Sequence, residues 1–128
     1  MMSREEDQVR VRASLVLDDG GKPVVHRGSD DVEHYEIELS IDRAPEDTFA
    51  VTYKLHDSYY DPLREVRNRT GGFSELITSY GDYVIKATVR TRSGNEVLQT
   101  GLHAALASEY GQDPPEAIRK ALESIRDN

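Results

Sequence analysis

The 128-residue sequence predicts a mainly β fold, an antiparallel β-sandwich followed by one or two short C-terminal α-helices. Three observations predict it. Four stretches alternate apolar and polar residues with the period of a half-buried strand. Turn signals separate them at short spacing, as in sandwiches. Near residue 102 the apolar period changes from that of a strand to that of a helix. A chain of this length suits one domain with one core, here 1–128, with the sandwich over about 8–101 and the helices over about 102–127.

The first alternating stretch is Gln8 to Leu17, which sets Val9, Val11, Ala13, Leu15 and Leu17 on one face. Asp18, Asp19, Gly20 and Gly21 then signal a turn, and Val24 and Val25 mark a short extended piece. Val32 to Ile41 alternates again, with Tyr35, Ile37, Leu39 and Ile41 inward. Pro45 interrupts an acidic connection into the central strand, Phe49 to Leu55. Arg64 to Arg67 reads as a short edge strand, and Phe73 to Ile77 as a weaker strand leading to a loop at Thr78 to Asp82. Tyr83 to Thr91 turns at Ser93, Gly94 and Asn95 into a hairpin partner, Glu96 to Thr100. Seven or eight short strands of this kind describe an immunoglobulin-like sandwich in the broad sense. Leu102, Leu106 and Tyr110 then share a helical stripe closed by Gly111. Asp113, Pro114, Pro115 and Glu116 read as an N-cap acid, prolines in the first turn and a glutamate at N3, opening a second helix whose apolar face is Ala117, Ile118, Ala121, Leu122 and Ile125.

Composition narrows function. A net charge of −8 and a pI near 4.9 argue against nucleic acid, because phosphate binding needs a basic face. The local cluster Arg64, Arg67 and Arg69 reads as a solvated face. No apolar run approaches the length of a membrane span, and MMSREEDQVR is charged with no apolar block, so a soluble, cytoplasmic protein is expected. Without cysteine there are no disulfides, thiol nucleophiles or thiolate metal sites. His26, His34, His56 and His103 are scattered without metal-ligand spacing, so no metal or cofactor is expected. Composition leaves the oligomeric state open.

The central strand ends in His56, Asp57, Ser58, Tyr59, Tyr60, Asp61 and Pro62, and a second polar-aromatic stretch is Thr78 to Tyr83. His56, Asp57 and Ser58 are the residue types of a nucleophile triad. Adjacent residues on an extended chain point in alternating directions, however, so a hydrolase using His56 with Asp57 or Asp82 is disfavoured. Tyrosine is the unusual component, seven against two phenylalanines and no tryptophan. Tyr53 and Tyr83 are in phase with strand interiors and read as core, whereas Tyr59, Tyr60 and Tyr80 lie in loops. If both loops emerge at one end of the sandwich, Tyr59 and Tyr80 wall a slot about 7 Å wide, with His56 and Ser58 at its base. Such a slot suits a flat, neutral amide better than an ammonium, which would have to be desolvated.

The pair of motifs LHDSYYDP (55–62) and SYGDY (79–83), the second followed by an alternating strand, resembles the YEATS domain, and its Gly-Asp-Tyr form resembles the prokaryotic branch. The resemblance spans roughly Val9 to Val89. It implies an immunoglobulin-like, noncatalytic module that binds an acylated-lysine protein or peptide, in a branch resembling bacterial immunity modules. It further implies roles: His56 shaping the pocket base, Ser58 hydrogen-bonding the amide, Tyr59 and Tyr80 sandwiching it, and the backbone N–H near Gly81 holding the acyl carbonyl. The sequence departs from the family pattern near Ser29 to Val32, where acids and small residues replace a further pocket aromatic, with His26 and His34 beside them. The stretch between Arg64 and Gly72 is also longer than the common form. The alternative keeps the fold and drops the ligand: a protein-interaction domain whose C-terminal helices are the partner surface.

Overall fold

The computed structural model describes residues 8–29 and 31–128. Its order is β1 (Arg10–Leu15), β2 (Val25–Arg27), β3 (Glu33–Asp42), β4 (Thr48–Lys54), β5 (Leu63–Val66), β6 (Glu75–Ser79), β7 (Val84–Thr91), β8 (Gly94–Gly101), α1 (Leu102–Tyr110) and α2 (Glu116–Asp127). The strands form two four-stranded antiparallel sheets. In one, β3 pairs with β1, β2 and β6; in the other the order is β5-β4-β7-β8. The inward positions of the alternating stretches meet between the sheets, where Ile37, Leu39, Val51, Tyr53, Ile85, Ala87 and Val89 are fully buried. Burying these side chains is the main favourable term in the fold.

The helices join this same core. Leu102 and Leu106 of α1, and Ile118, Ala121, Leu122 and Ile125 of α2, belong to the one buried cluster. Helix α1 touches both β1 and β8, covering the seam where the edges of the two sheets meet. It is tied there by the Tyr110 hydroxyl, which accepts from the Leu15 N–H at 2.8 Å, and by the Arg12–Glu109 ion pair at 2.8 Å. The tyrosine at the heart of the core, Tyr53, donates its hydroxyl to the Phe73 carbonyl at 2.7 Å, and burial pushes its phenol well above the ordinary value.

Four local expectations are corrected. Leu17 is exposed, because β1 pairing with β3 ends at Leu15 opposite Ile37, and Leu17 then bridges back to Pro23 across the Asp18 turn. The strand expected from Phe73 begins at Glu75, because Gly72 and Phe73 both take positive φ (69° and 55°) and bend the chain out of the extended region. Thr78 and Ser79 therefore finish β6, and the second loop is shorter than expected. Asp113 caps nothing: Pro115 disfavours a helical Pro114, so α2 starts at Glu116 with Pro115 as N-cap. The arginine cluster is a largely solvated face as expected, with Arg67 and Arg69 exposed, and its charges also bond within the chain, Arg64 to Glu75, Arg67 to Glu65, and Arg69 to the Pro45 and Thr48 carbonyls.

Candidate functional site

Strand β4 ends at Lys54, and the loop that follows closes on itself. The Leu55 N–H donates to the Pro62 carbonyl at 2.7 Å, and the Tyr59 N–H to the His56 carbonyl at 3.1 Å. Within that turn His56 Nδ1 accepts the Ser58 N–H at 3.1 Å and lies 2.8 Å from Ser58 Oγ. A nitrogen that accepts a backbone N–H presents its lone pair, so this arrangement fits the tautomer with its hydrogen on Nε2 and the Ser58 hydroxyl donating to Nδ1. His56 and Ser58 are both exposed.

Tyr59 is held from two directions. Its hydroxyl donates to the Thr78 carbonyl of β6 at 2.6 Å and accepts from the Tyr83 hydroxyl at 2.9 Å. The Tyr59 and Tyr83 rings pack at 5.7 Å between centroids, and the His56 ring meets Tyr83 edge-on at 5.9 Å. Burial first, and the bond to Tyr59 second, drives the Tyr83 phenol far above its ordinary value. Tyr83 thus faces both ways: it packs on the core, as its phase with β7 implies, and it also lines the site.

The second loop depends on distant chain. The Ser79 hydroxyl donates to the Gly81 carbonyl at 2.7 Å and accepts the Gly81 N–H at 3.3 Å. Asp82 Oδ1 accepts the His103 N–H at 2.9 Å, and the Tyr83 carbonyl accepts the Leu102 N–H at 2.9 Å. Helix α1 has Gly101 as N-cap, with no side chain to offer, so Asp82 satisfies one of its free first-turn donors from outside the helix. Gly81 is required by close approach: a Cβ there would lie 2.7 Å from the Asn128 carbonyl carbon and 2.9 Å from its oxygen, at the end of α2.

The two loops emerge at the same end and share a pocket of about 490 Å³. His56, Ser58, Tyr59, Tyr80 and Gly81 all line it. Exposure places His56 and Ser58 at the mouth rather than the base, where the buried members are Ser79 and Gly81. Tyr80 is half exposed and stands edge-on to His34, at 5.3 Å and 70°. His34, Thr78, Ser79, Asp82 and Asn128 also line the pocket; Thr78, Ser79 and Asp82 lie in the second polar-aromatic stretch, but none of the five was expected as a ligand-binding residue. For His34 a signal existed: it sits in the polar phase of β3, beside the stretch where a pocket aromatic is missing.

The family model described as the prokaryotic YEATS domain matches residues 35–99, just over half the chain, including both loops. The chain belongs to the prokaryotic YEATS domain family. Solved YEATS structures share its fold. "Crystal structure of the Yaf9 YEATS domain bound to H3K27ac" is 16% identical, with a TM-score of 0.54 over 91% of this chain and 95% of that one. "The Yaf9 YEATS domain Recognizing H3K122suc Peptide" is 19% identical, with a TM-score of 0.50 over 91% and 95%. The yeast AF-9 homolog protein Yaf9 is 16% identical, with a TM-score of 0.50 over 91% and 94%. At these identities the likeness is one of fold. No curated protein matches the chain. In this YEATS domain the matched span stops short of two pocket-lining residues, His34 before it and Asn128 after it.

Proposed function

We propose that this YEATS domain is a noncatalytic binding module that takes an acylated lysine, or a similar amide, into the pocket between its two loops. The observation that carries the reading is the convergence of Tyr59, Tyr80, Ser58 and Gly81 on one pocket, with Tyr59 fixed in advance by two hydrogen bonds. A ring whose position is already set loses little entropy when a flat group stacks on it. Aromatic stacking of this sort contributes about 1 kcal/mol beyond area. In this reading the Ser58 hydroxyl turns from His56 to the ligand amide, and the Gly81 N–H exchanges its long bond to Ser79 for the acyl carbonyl. Tyr80 closes the second face, backed by His34.

The same bonds support a binding role over hydrolysis. His56 Nδ1 is shared between the Ser58 hydroxyl and the Ser58 N–H, and the nearby Asp82 carboxylate is engaged by α1 rather than by His56. One observation favours a second reading, an interaction domain without acyl-lysine binding: Asn128 presses on Gly81, so the chain itself fills the wall where the acyl carbonyl would be held. Among the described residues no helix is long and apolar enough to cross a membrane. A cytoplasmic role in a bacterial immunity system is part of the proposal and is tested by the genes that neighbour this one.

Titration of acetyl-lysine and crotonyl-lysine peptides, followed by NMR, decides between the two readings. Shifts at Tyr59, Tyr80 and Gly81, weakened in Ser58→Ala and lost in Tyr80→Ala, are expected. No shift at millimolar peptide overturns the acyl-lysine reading.

A further inference from the structure

We infer that the rim of the pocket is a docking surface for acidic residues flanking the acylated lysine; this rests on the acyl-lysine reading. The sequence has four lysines in a chain of net charge −8. Two of them, Lys54 and Lys86, are direct cross-strand partners on β4 and β7. Both are exposed, and their strand neighbours Tyr53, Leu55, Ile85 and Ala87 point into the core, so the two ammonium groups share the outer face of the sheet. Like charges directly opposite on a sheet repel and destabilise the pairing.

The neighbouring arginines, Arg64 of β5, Arg67 just after it and Arg90 of β7, are matched to acids. Arg64 pairs with Glu75 at 2.9 Å, Arg67 with Glu65 at 3.2 Å, and Arg90 with Glu65 at 3.9 Å. Among the described residues neither Lys54 nor Lys86 forms an ion pair, and Asp57 and Asp61 of the adjoining loop reach neither. The repulsion between Lys54 and Lys86 is therefore left without a compensating acid.

The uncompensated pair lies toward the pocket end of the sheet. Lys54 precedes the pocket residue His56 by two positions, about 7 Å along a strand, and Lys86 follows the pocket residue Tyr83 by three. Leu63, the β5 partner of Lys54, and Val84, two positions before Lys86, are both exposed, and Tyr60 in the intervening loop is fully so. Two free ammonium groups among exposed apolar side chains fit a peptide that presents carboxylates close to the inserted side chain. An anion there relieves the repulsion between the lysines as well as pairing with them. A basic peptide would meet these charges with the wrong sign.

The test uses one acetyl-lysine peptide in three versions, with glutamates, glutamines or lysines flanking the modified residue, and an unacetylated glutamate version. Affinity should fall from glutamate to glutamine to lysine, by about two- to five-fold per exposed charge pair, with a difference that shrinks as salt is added. Lys54→Gln/Lys86→Gln should flatten the order and Lys54→Glu/Lys86→Glu should reverse it. Lys120→Glu, about 12 Å along α2 from Asn128, should leave it unchanged. Binding of all three acetylated peptides with equal affinity overturns this inference and leaves the pocket reading intact. If no acetylated peptide binds, the acyl-lysine reading falls. In that case shifts of the Lys54 and Lys86 resonances with the unacetylated glutamate peptide would uphold the rim alone, and their absence would overturn both.

Discussion

The two loops that make the pocket are built in opposite ways. The first, between β4 and β5, is closed by bonds among its own residues: Leu55 to Pro62, Tyr59 to His56, Ser58 to His56. The second, between β6 and β7, is held largely from the far end of the chain, with Asp82 and Tyr83 bonded to the first turn of α1 and Gly81 pressed by Asn128, which caps α2. The His56–Ser58 turn rests on its own residues, with Tyr59 tied across to Thr78 and Tyr83, whereas the second loop leans on the docked helices. Perturbing the helices should therefore move the second loop and spare the His56–Ser58 turn.

The largest expected effect is at Gly81. Gly81→Ala sets a methyl group against the Asn128 backbone at 2.7 Å and should cost about 1–3 kcal/mol through overpacking. Thermal unfolding should show a fall of several degrees, and NMR shifts should spread through the second loop and α2 while His56 and Ser58 stay in place. Equal disturbance of both loops would erase the contrast between them. Asp82→Ala comes next, at about 1 kcal/mol, because it removes the acceptor for the His103 N–H. Faster hydrogen exchange confined to the first turn of α1 and the second loop checks it.

Tyr83→Phe removes the donor to the Tyr59 hydroxyl and should cost about 1 kcal/mol or less. It also sharpens the alkaline limit. Tyr83 resists ionisation in the folded chain, chiefly through burial, whereas in the unfolded chain it titrates near 10. The unfolded state then binds fewer protons above that pH, so stability is present below about pH 10 and is lost as pH rises further. Tyr83→Phe should lose part of this dependence, seen as a shallower fall of the unfolding midpoint above pH 10, and Tyr53, similarly shifted, should account for much of what remains. The smallest effect is Ser58→Ala, an exposed position whose bonds stay within its own turn, with less than about 0.5 kcal/mol expected in denaturant unfolding.

The same contrast explains what could be read from the sequence. The strands of the core were legible because alternation is local, and the turn at His56–Ser58 because its partners lie within a few residues. Tyr53 could be assigned to the core from its phase alone. Tyr83 shared that phase yet also lines the pocket, since its hydroxyl reaches Tyr59 across the end of the sandwich, which no spacing reveals. The delayed start of β6 turned on positive φ at Phe73, a residue with no turn signature of its own. Asn128 and His34 entered the pocket through tertiary packing, as the residue that caps the end of α2 and the second of β3. The cap expected at Asp113 failed on a rule that was available: a proline restricts the residue before it, and here that residue is another proline.

The hydroxyl chain from Tyr83 through Tyr59 to Thr78 also has an optical consequence. The protein has no tryptophan, so its near-ultraviolet emission comes from phenols alone, three of which, Tyr59, Tyr80 and Tyr83, border the pocket. Any occupant that alters the hydrogen bonding or stacking of these rings changes that emission directly, with no indole to mask it, so the wild-type chain can report on its own pocket without a label.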